Sequence, residues 1–217
     1  MDEFTALAEK VTSLVMEKIQ ELTQNPMQIP VGISARHIHL CKNDVEKLFG
    51  EGYRLTPMKY LSQPGQFACE EMVEVIGSTG KVIRLRVLGP ERADTQVELS
   101  LSDSRGMGII PPVRTSGDIA GTPGIKLRGP KGETEIREGV MIADRHIHML
   151  PEDADWFGVK NGERVDVVVD GAKGGIMSNV IIRVTTSSRL DFHVDTDDGN
   201  AFQLRQGQLV TIRKRNN

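Results

Sequence analysis

Apolar positions recur at spacings of three and four at the start of the chain. Phe4, Leu7, Val11, Leu14, Val15, Ile19 and Leu22 form one stripe, which predicts an amphipathic helix over residues 3–23. Gln24-Asn25-Pro26 breaks this pattern, and Pro30 closes the break. A strand is predicted over residues 31–40. A short helix capped by Asn43 or Asp44 follows, with Val45, Leu48 and Phe49 on its apolar face. From Leu55 to Leu127 the pattern is β. Residues 72–76 and 81–88 flank Gly77-Ser78-Thr79-Gly80 as a hairpin. Residues 97–101 alternate strictly, so Glu98 and Ser100 share one face of a strand. The Gly- and Pro-rich residues 105–125, with Arg114-Thr115-Ser116-Gly117 inside, read as an irregular loop over a site. A second strand and short helix follow, the helix opened by Pro151-Glu152-Asp153 and carrying Trp156 and Phe157. The remainder is β, over residues 164–169, 180–185, 190–194 and 209–213. The chain therefore reads as two similar β-rich halves, and barrels and sandwiches both satisfy the pattern.

The two halves share a motif. Arg36-His37-Ile38-His39 returns 109 positions later as Arg145-His146-Ile147-His148. Val31, Ile33 and Leu40 correspond to Val140, Ile142 and Met149, and Asp44 to Asp153. Residues i and i+2 of a strand point to one face, so each copy offers two imidazoles side by side and turns its isoleucine to the opposite layer. Arg36 and Arg145 then fall on the isoleucine side. Four of the five histidines lie in these copies. That concentration favours metal binding over a duplicated strand whose histidines pair with carboxylates.

Composition narrows the classes. Aromatic residues are only 4% of the chain, so the cores must be built from Val, Ile, Leu and Met. A net charge of −3 gives no bulk attraction to nucleic acid or anionic lipid. Cys41 and Cys69 form no disulfide framework and fit a reducing cytosol. No apolar run approaches the roughly 20 residues that span a bilayer. The N-terminal helix is acidic, with Asp2, Glu3, Glu9, Glu17 and Glu21 against Lys10 and Lys18, unlike a secretory signal or a membrane-surface helix. Its stripe either packs on its own domain or docks on a partner.

The candidate ligands are His37, His39, His146, His148 and His193, with one or more carboxylates. His193 sits between Phe192 and Val194 and faces away from them. Five imidazoles exceed the three protein ligands of a catalytic zinc, so two metals are the natural division. Glu98 is the preferred acid, as a polar residue in an apolar strand, although an exposed strand position gives the same pattern. Cys41 extends the alternation of the first copy, but Leu150 stands in its place in the second, and Cys41 is left out of the set. An acidic protein that binds phosphate needs local positive charge, and Arg92, at a turn six residues before Glu98, offers a planar fork matched to phosphate oxygens. Ser116 could add a hydroxyl or backbone donor.

Residues 31–40, Ala143-Asp144-Arg145-His146-Ile147-His148 and Asp191-Phe192-His193-Val194-Asp195 resemble the PduL-type phosphotransacylases, or phosphate propanoyltransferases. The resemblance runs from about Pro30 to Arg213. It implies a mainly β fold of two β-barrel domains with short capping helices, at residues 36–143 and 144–217. Residues 26–35 would be a linker and first strand packing with the C-terminal barrel. The implied site holds two Zn2+ ions, one on His37, His39 and Glu98, the other on His146, His148 and His193. Arg92 and Ser116 match the phosphate-contacting positions, Arg92 with a catalytic role. The implied reaction joins a short acyl-CoA, propanoyl or acetyl, and phosphate to give acyl phosphate and CoA. Residues 1–25 are similar to encapsulation peptides that dock cargo on the shell proteins of bacterial microcompartments, which would place a homo-oligomer inside one. Two other readings compete: a cupin-like iron oxygenase, whose motif normally occurs once per barrel, and a non-enzymatic zinc scaffold, which needs closed four-ligand sites.

Overall fold

The computed structural model describes residues 7, 8, 10–16 and 28–215. Residues 7 and 8 and the segment α1 (residues 10–16) are helical, and Val11, Leu14 and Val15 of the apolar stripe are about half exposed. The rest of the helix predicted over 3–23 lies outside the described residues. In chain order there follow β1 (Gln28–Ser34), β2 (His37–His39), α2 (Lys42–Phe49), β3 (Pro57–Tyr60), β4 (Phe67–Ile76) and β5 (Val82–Gly89). Next come β6 (Gln96–Glu98), α3 (Leu101–Gly106), β7 (Val113–Arg114), β8 (Ile125–Arg128), β9 (Glu133–Ile136) and β10 (Val140–Ala143). The chain ends with β11 (His146–Met149), α4 (Pro151–Phe157), β12 (Arg164–Val169), β13 (Gly175–Val184), β14 (Asp191–Asp195), α5 (Thr196–Ala201) and β15 (Leu209–Arg213). Among the described residues no helix is long and apolar enough to cross a membrane.

The strands form two sheets. Six of them close a barrel in the order β1-β14-β11-β13-β12-β15, with β15 pairing back onto β1. The other nine make a sheet of order β7-β10-β6-β2-β5-β4-β8-β9, with β3 on the side of β4. Of the two barrels expected, only one closes; the other is an open half-barrel, whose end strands β7 and β9 do not pair. The two apolar cores follow this division. Ile29, Val31, Ile147, Phe192 and Val210 fill the barrel, and Ile38, Leu85, Val97, Leu127 and Val140 pack under the open sheet.

The strand predicted over 31–40 is two strands in different sheets. β1 pairs in parallel with β14, while β2 pairs with β5 and β6. The apolar positions change faces across the break at Ala35-Arg36, from Val31 and Ile33 to Ile38 and Leu40, which one continuous strand does not accommodate. The second copy mirrors this exchange: β10 pairs with β6 of the open sheet, and β11 lies in the barrel. Each half therefore gives its leading strand to the other half's sheet.

Other local expectations shift for identifiable reasons. The strand predicted over 97–101 ends at Glu98, because Ser100 caps α3 by accepting from the backbone N–H of Asp103. Cys41, not Asn43 or Asp44, is the N-cap of α2 and provides no side-chain bond. Asp44 instead points inward and accepts from Thr95 Oγ1 at 2.7 Å. Its counterpart Asp153 accepts from the Leu150 backbone N–H at 3.0 Å and closes the start of α4. Phe157 of α4 is buried, whereas Trp156 is exposed. The hairpin is as expected, with Gly77 N–H donating to the Lys81 carbonyl at 2.8 Å.

Ile38 and Ile147, the central residues of the two motifs, are fully buried in the two cores. Ile147→Ala should cost about 2–5 kcal/mol through lost burial and a cavity. Trp156→Ala should move stability by less than about 0.5 kcal/mol. Urea unfolding of the two variants checks the contrast.

Candidate metal centre

The geometry of the centre follows from one pairing used twice. β2 runs antiparallel to β6, with His37 opposite Glu98 and His39 opposite Gln96. β11 runs antiparallel to β14, with His146 opposite His193 and His148 opposite Asp191. Residues directly opposite on such a pair stand only about 4.5–5.5 Å apart. Each His-x-His strand thus receives a third donor from its neighbour. Two groups result, His37, His39 and Glu98, and His146, His148 and His193, each with donor atoms within 4.8 Å of one another. Both groups line a single cavity between the barrel and the open sheet, together with Arg92, Ser116 and Arg183. All eight residues expected at the site border this cavity.

The ring nitrogens are oriented by the backbone. The Nδ1 atoms of His37, His39 and His146 lie 2.9, 3.2 and 2.8 Å from the carbonyls of Ala35, Leu88 and Asp144. A carbonyl only accepts, so each Nδ1 carries a proton; Nε2 of His39 and His146 then holds a lone pair, while Nε2 of His37 faces the Glu98 carboxylate. His146 Nε2 and His148 Nε2 are 3.1 Å apart. At zinc–nitrogen lengths of about 2.0–2.1 Å, that spacing subtends an angle of about 100° at one shared ion. His37 Nε2 and Glu98 Oε2, 3.4 Å apart, fit a shared ion equally well. The donor sets match those of three-ligand zinc sites.

Burial sets the charge states. It drives His39, His146 and His148 down to about 3, 4 and 2, with neighbouring imidazoles and arginines adding to the effect. These rings are neutral at pH 7, the form that binds metal. Burial also lowers His37, but the charge of Glu98 and its hydrogen bond outweigh this and raise it. Burial alone would raise Glu98, but His37, His39 and the Ser116 hydroxyl hold its carboxyl well below the usual carboxylate range. Metal entering this triad would displace the His37 proton.

Arg92 is tied in at both ends. Its backbone N–H donates to the Leu40 carbonyl at 2.9 Å, and its Nη1 donates to Ser116 Oγ at 3.1 Å. Ser116 in turn donates to Glu98 Oε1 at 2.8 Å and accepts from Gln96 Nε2 at 2.9 Å. Ser116 therefore links the cationic fork to a metal-ligand candidate. Arg36 does not face the isoleucine layer as alternation suggested, because it precedes β2. It borders the cavity, and its Nη1 binds Asp103 Oδ1 of α3 at 2.6 Å. Arg145 repeats this pairing with Asp198 of α5 at 3.4 Å.

Three residues in or behind the site were not singled out by pattern, and of these Arg183 borders the cavity. Arg183 stands beside His148 in the β11–β13 pairing. Its guanidinium, like that of Arg92, is pulled down by burial, with Glu98 opposing. In sequence it is only one polar residue of an apolar strand. Gln96 and Asp191 sit two residues before the third donors, and their position becomes visible only through the ladder.

This fold and paired triad define a β-rich protein with two groups of donors that could each hold a metal, beside a cationic pocket. Residues 30–205 match the profile of the phosphate propanoyltransferase family. The chain is 49% identical to a phosphate propanoyltransferase of Thermotoga maritima, over 93% of this chain and 98% of that one. It is 45% identical to one from Rhodobacter capsulatus, over 94% and 95%. A third, from Clostridioides difficile, is 42% identical over 95% and 99%. The chain belongs to the phosphate propanoyltransferase family.

The depressed imidazoles make a pH prediction. His39, His146 and His148 bind protons in the unfolded chain below its ordinary value of 6.5 but not in the folded one. Their contribution is present above pH 6.5 and is lost as pH falls. His37, being raised, gives stability that is present below 6.5 and lost as pH rises, so it does not cancel the acid limb. Chelator-stripped protein should lose on the order of 5 °C in Tm between pH 6.5 and 5.5. A thermal-melt series reads it, and a flat profile would show that the rings are not neutral.

Proposed function

We propose that this protein exchanges a short acyl group, propanoyl or acetyl, between coenzyme A and inorganic phosphate at two zinc ions, one in each triad. The observation that carries this reading is the convergence of both triads and two arginines on one cavity. Phosphate is a crowded anionic nucleophile, and Arg92 and Arg183 provide paired cations to bind and orient it. Its oxygen attacks the thioester carbonyl carbon, the C–S bond breaks, and CoA leaves as the thiolate. Bound zinc would supply Lewis acidity for the reacting oxygens and a soft partner for the leaving sulfur. Ser116 keeps Arg92 and Glu98 in register, and Leu61, Leu88 and Val194 give the cavity an apolar side for a short acyl chain.

CoA release from propanoyl-CoA with phosphate, run beside metal quantification, tests this directly. Close to two zinc equivalents and loss of turnover on chelation are expected. Arg92→Ala should raise the phosphate requirement steeply with zinc content unchanged, and Arg92→Lys should recover only part, since the fork is lost. One tightly held iron with oxygen consumption would overturn the reading in favour of an oxygenase.

The sheet pairing supports a division into residues 36–143 and 144–217, with residues 26–35 joined to the C-terminal unit. We assign residues 1–25 to docking on microcompartment shell proteins, the enzyme acting inside the compartment as a homo-oligomer. The exposure of Leu7, Val11, Leu14, Val15 and Met16 supports an unpartnered stripe. Deleting residues 1–25 should leave zinc content and turnover nearly unchanged. Fused to a fluorescent protein, the segment should enter compatible shells. A truncated protein that unfolds, or a fusion that stays diffuse beside intact shells, counts against this role.

A further inference from the structure

The two triads are related by position but differ in one donor, a carboxylate in the first and an imidazole in the second. The residue two places earlier changes with it. Gln96 and Asp191 occupy matching sites, each opposite the second histidine of its copy. Gln96 Nε2 donates to Glu98 Oε1 at 2.5 Å, an amide N–H meeting a carboxylate. Asp191 Oδ2 lies 3.0 Å from His193 Nε2, a carboxylate meeting a ring nitrogen. In each triad the supporting group has the polarity its donor needs.

The consequence for His193 is specific. A carboxylate accepts, so Nε2 carries the proton and Nδ1 holds the lone pair. This is the reverse of His37, His39 and His146, whose Nδ1 atoms face backbone carbonyls. Gly32 on β1 fixes the ring pose from the other side. A Cβ there would sit 2.6 Å from His193 Cδ2 and 3.0 Å from its Nε2. With the Cδ2–Nε2 edge against β1 and Asp191, the Nδ1 edge turns toward β11, where the His146 and His148 rings lie at 5.3 and 4.8 Å between centroids.

Asp191 is buried and is itself held by the opposite sheet. Ser62, on the loop between β3 and β4, donates to Asp191 Oδ2 at 2.5 Å. The next residue, Gln63, donates to the Arg189 carbonyl at 2.9 Å and accepts from its N–H at 3.2 Å. A loop of the open sheet thus grips the start of β14 in the barrel.

We propose that Asp191, anchored by Ser62, is the positioning residue of the second triad, holding His193 as its Nε2–H tautomer so that Nδ1 is the metal-binding nitrogen. This rests on the two-metal reading of the site. Outer partners of metal-bound histidines typically contribute 10–100-fold to affinity, which sets the scale of the effect.

Two measurements on the full-length protein test it. In zinc-loaded wild type carrying 15N-histidine, the His193 signals should show a proton on Nε2 and metal on Nδ1, with His37, His39 and His146 showing the reverse. In chelator competition, Asp191→Ala should weaken one of the two zinc equivalents by about 10–100-fold and leave the other unchanged. Asp191→Asn, which keeps an acceptor oxygen, should recover part of the loss. A His193 protonated on Nδ1, or an Asp191→Ala protein holding both ions with wild-type affinity, overturns the proposal. If the alanine variant does not fold, the wild-type spectrum alone decides. A wild type that never takes two zinc ions overturns the two-metal reading, and this proposal with it.

Discussion

Strand register is the constraint on which the rest of this structure depends. A strand alternates its faces with period two, so a slip of one residue would exchange every imidazole for an isoleucine. Ile38 and Ile147 prevent that slip. Each fills a core on the side away from the cavity, and burying such a side chain stabilises by about 1.5–3 kcal/mol. The slipped alternative would put two imidazoles into each apolar core without partners, at a further cost. The cores thereby lock the donors onto the cavity face, and the antiparallel neighbours β6 and β14 complete each set.

Once locked, the two triads differ electrically. The first contains a buried carboxylate held ionised by His37, His39 and Ser116. The second contains imidazoles only, with no carboxylate among its donors, and stands beside Arg183. A dication in the first would be half neutralised by its ligands, while one in the second would keep its full charge. The two halves of the cavity therefore attract anions unequally despite their shared geometry. Arg92 lies toward the first triad and Arg183 toward the second, so each side has its own fixed cation.

Much of this could be read from the sequence because it is periodic or repeated. The His-Ile-His copies, the hairpin around Gly77 and the strand at 164–169 all carry local signals. Glu98 was legible only as a polar residue in an apolar run, and the ladder with His37 gives it a partner. What stayed hidden depends on non-local pairing. The apolar positions change parity between Ile33 and Ile38, a local trace of the parting of β1 and β2, but which sheet each strand joins is set by distant partners. α3 starts within an alternating run because Ser100 turns from strand residue to cap. Arg183, Gln96 and Asp191 gain meaning only from the strand beside them. Whether a sheet closes is likewise set by which edges meet, and the pattern left barrels and sandwiches equally open.

The reciprocal exchange of leading strands has a consequence for how the chain is made. Val31 pairs with Phe192, 161 positions further along the chain. β1 must therefore wait, unpaired, until β14 and β15 have been made. Pairings so distant in sequence are slow to form, because the closure entropy is lost before the contacts compensate for it. The barrel cannot close, nor the second triad assemble, until the C-terminal strands arrive. Separate translation of the two halves would leave each with a foreign strand and a missing one. The geometry is that of two unequal units that exchange their leading strands, with the chain crossing between them at Ala35-Arg36 and at Asp144-Arg145.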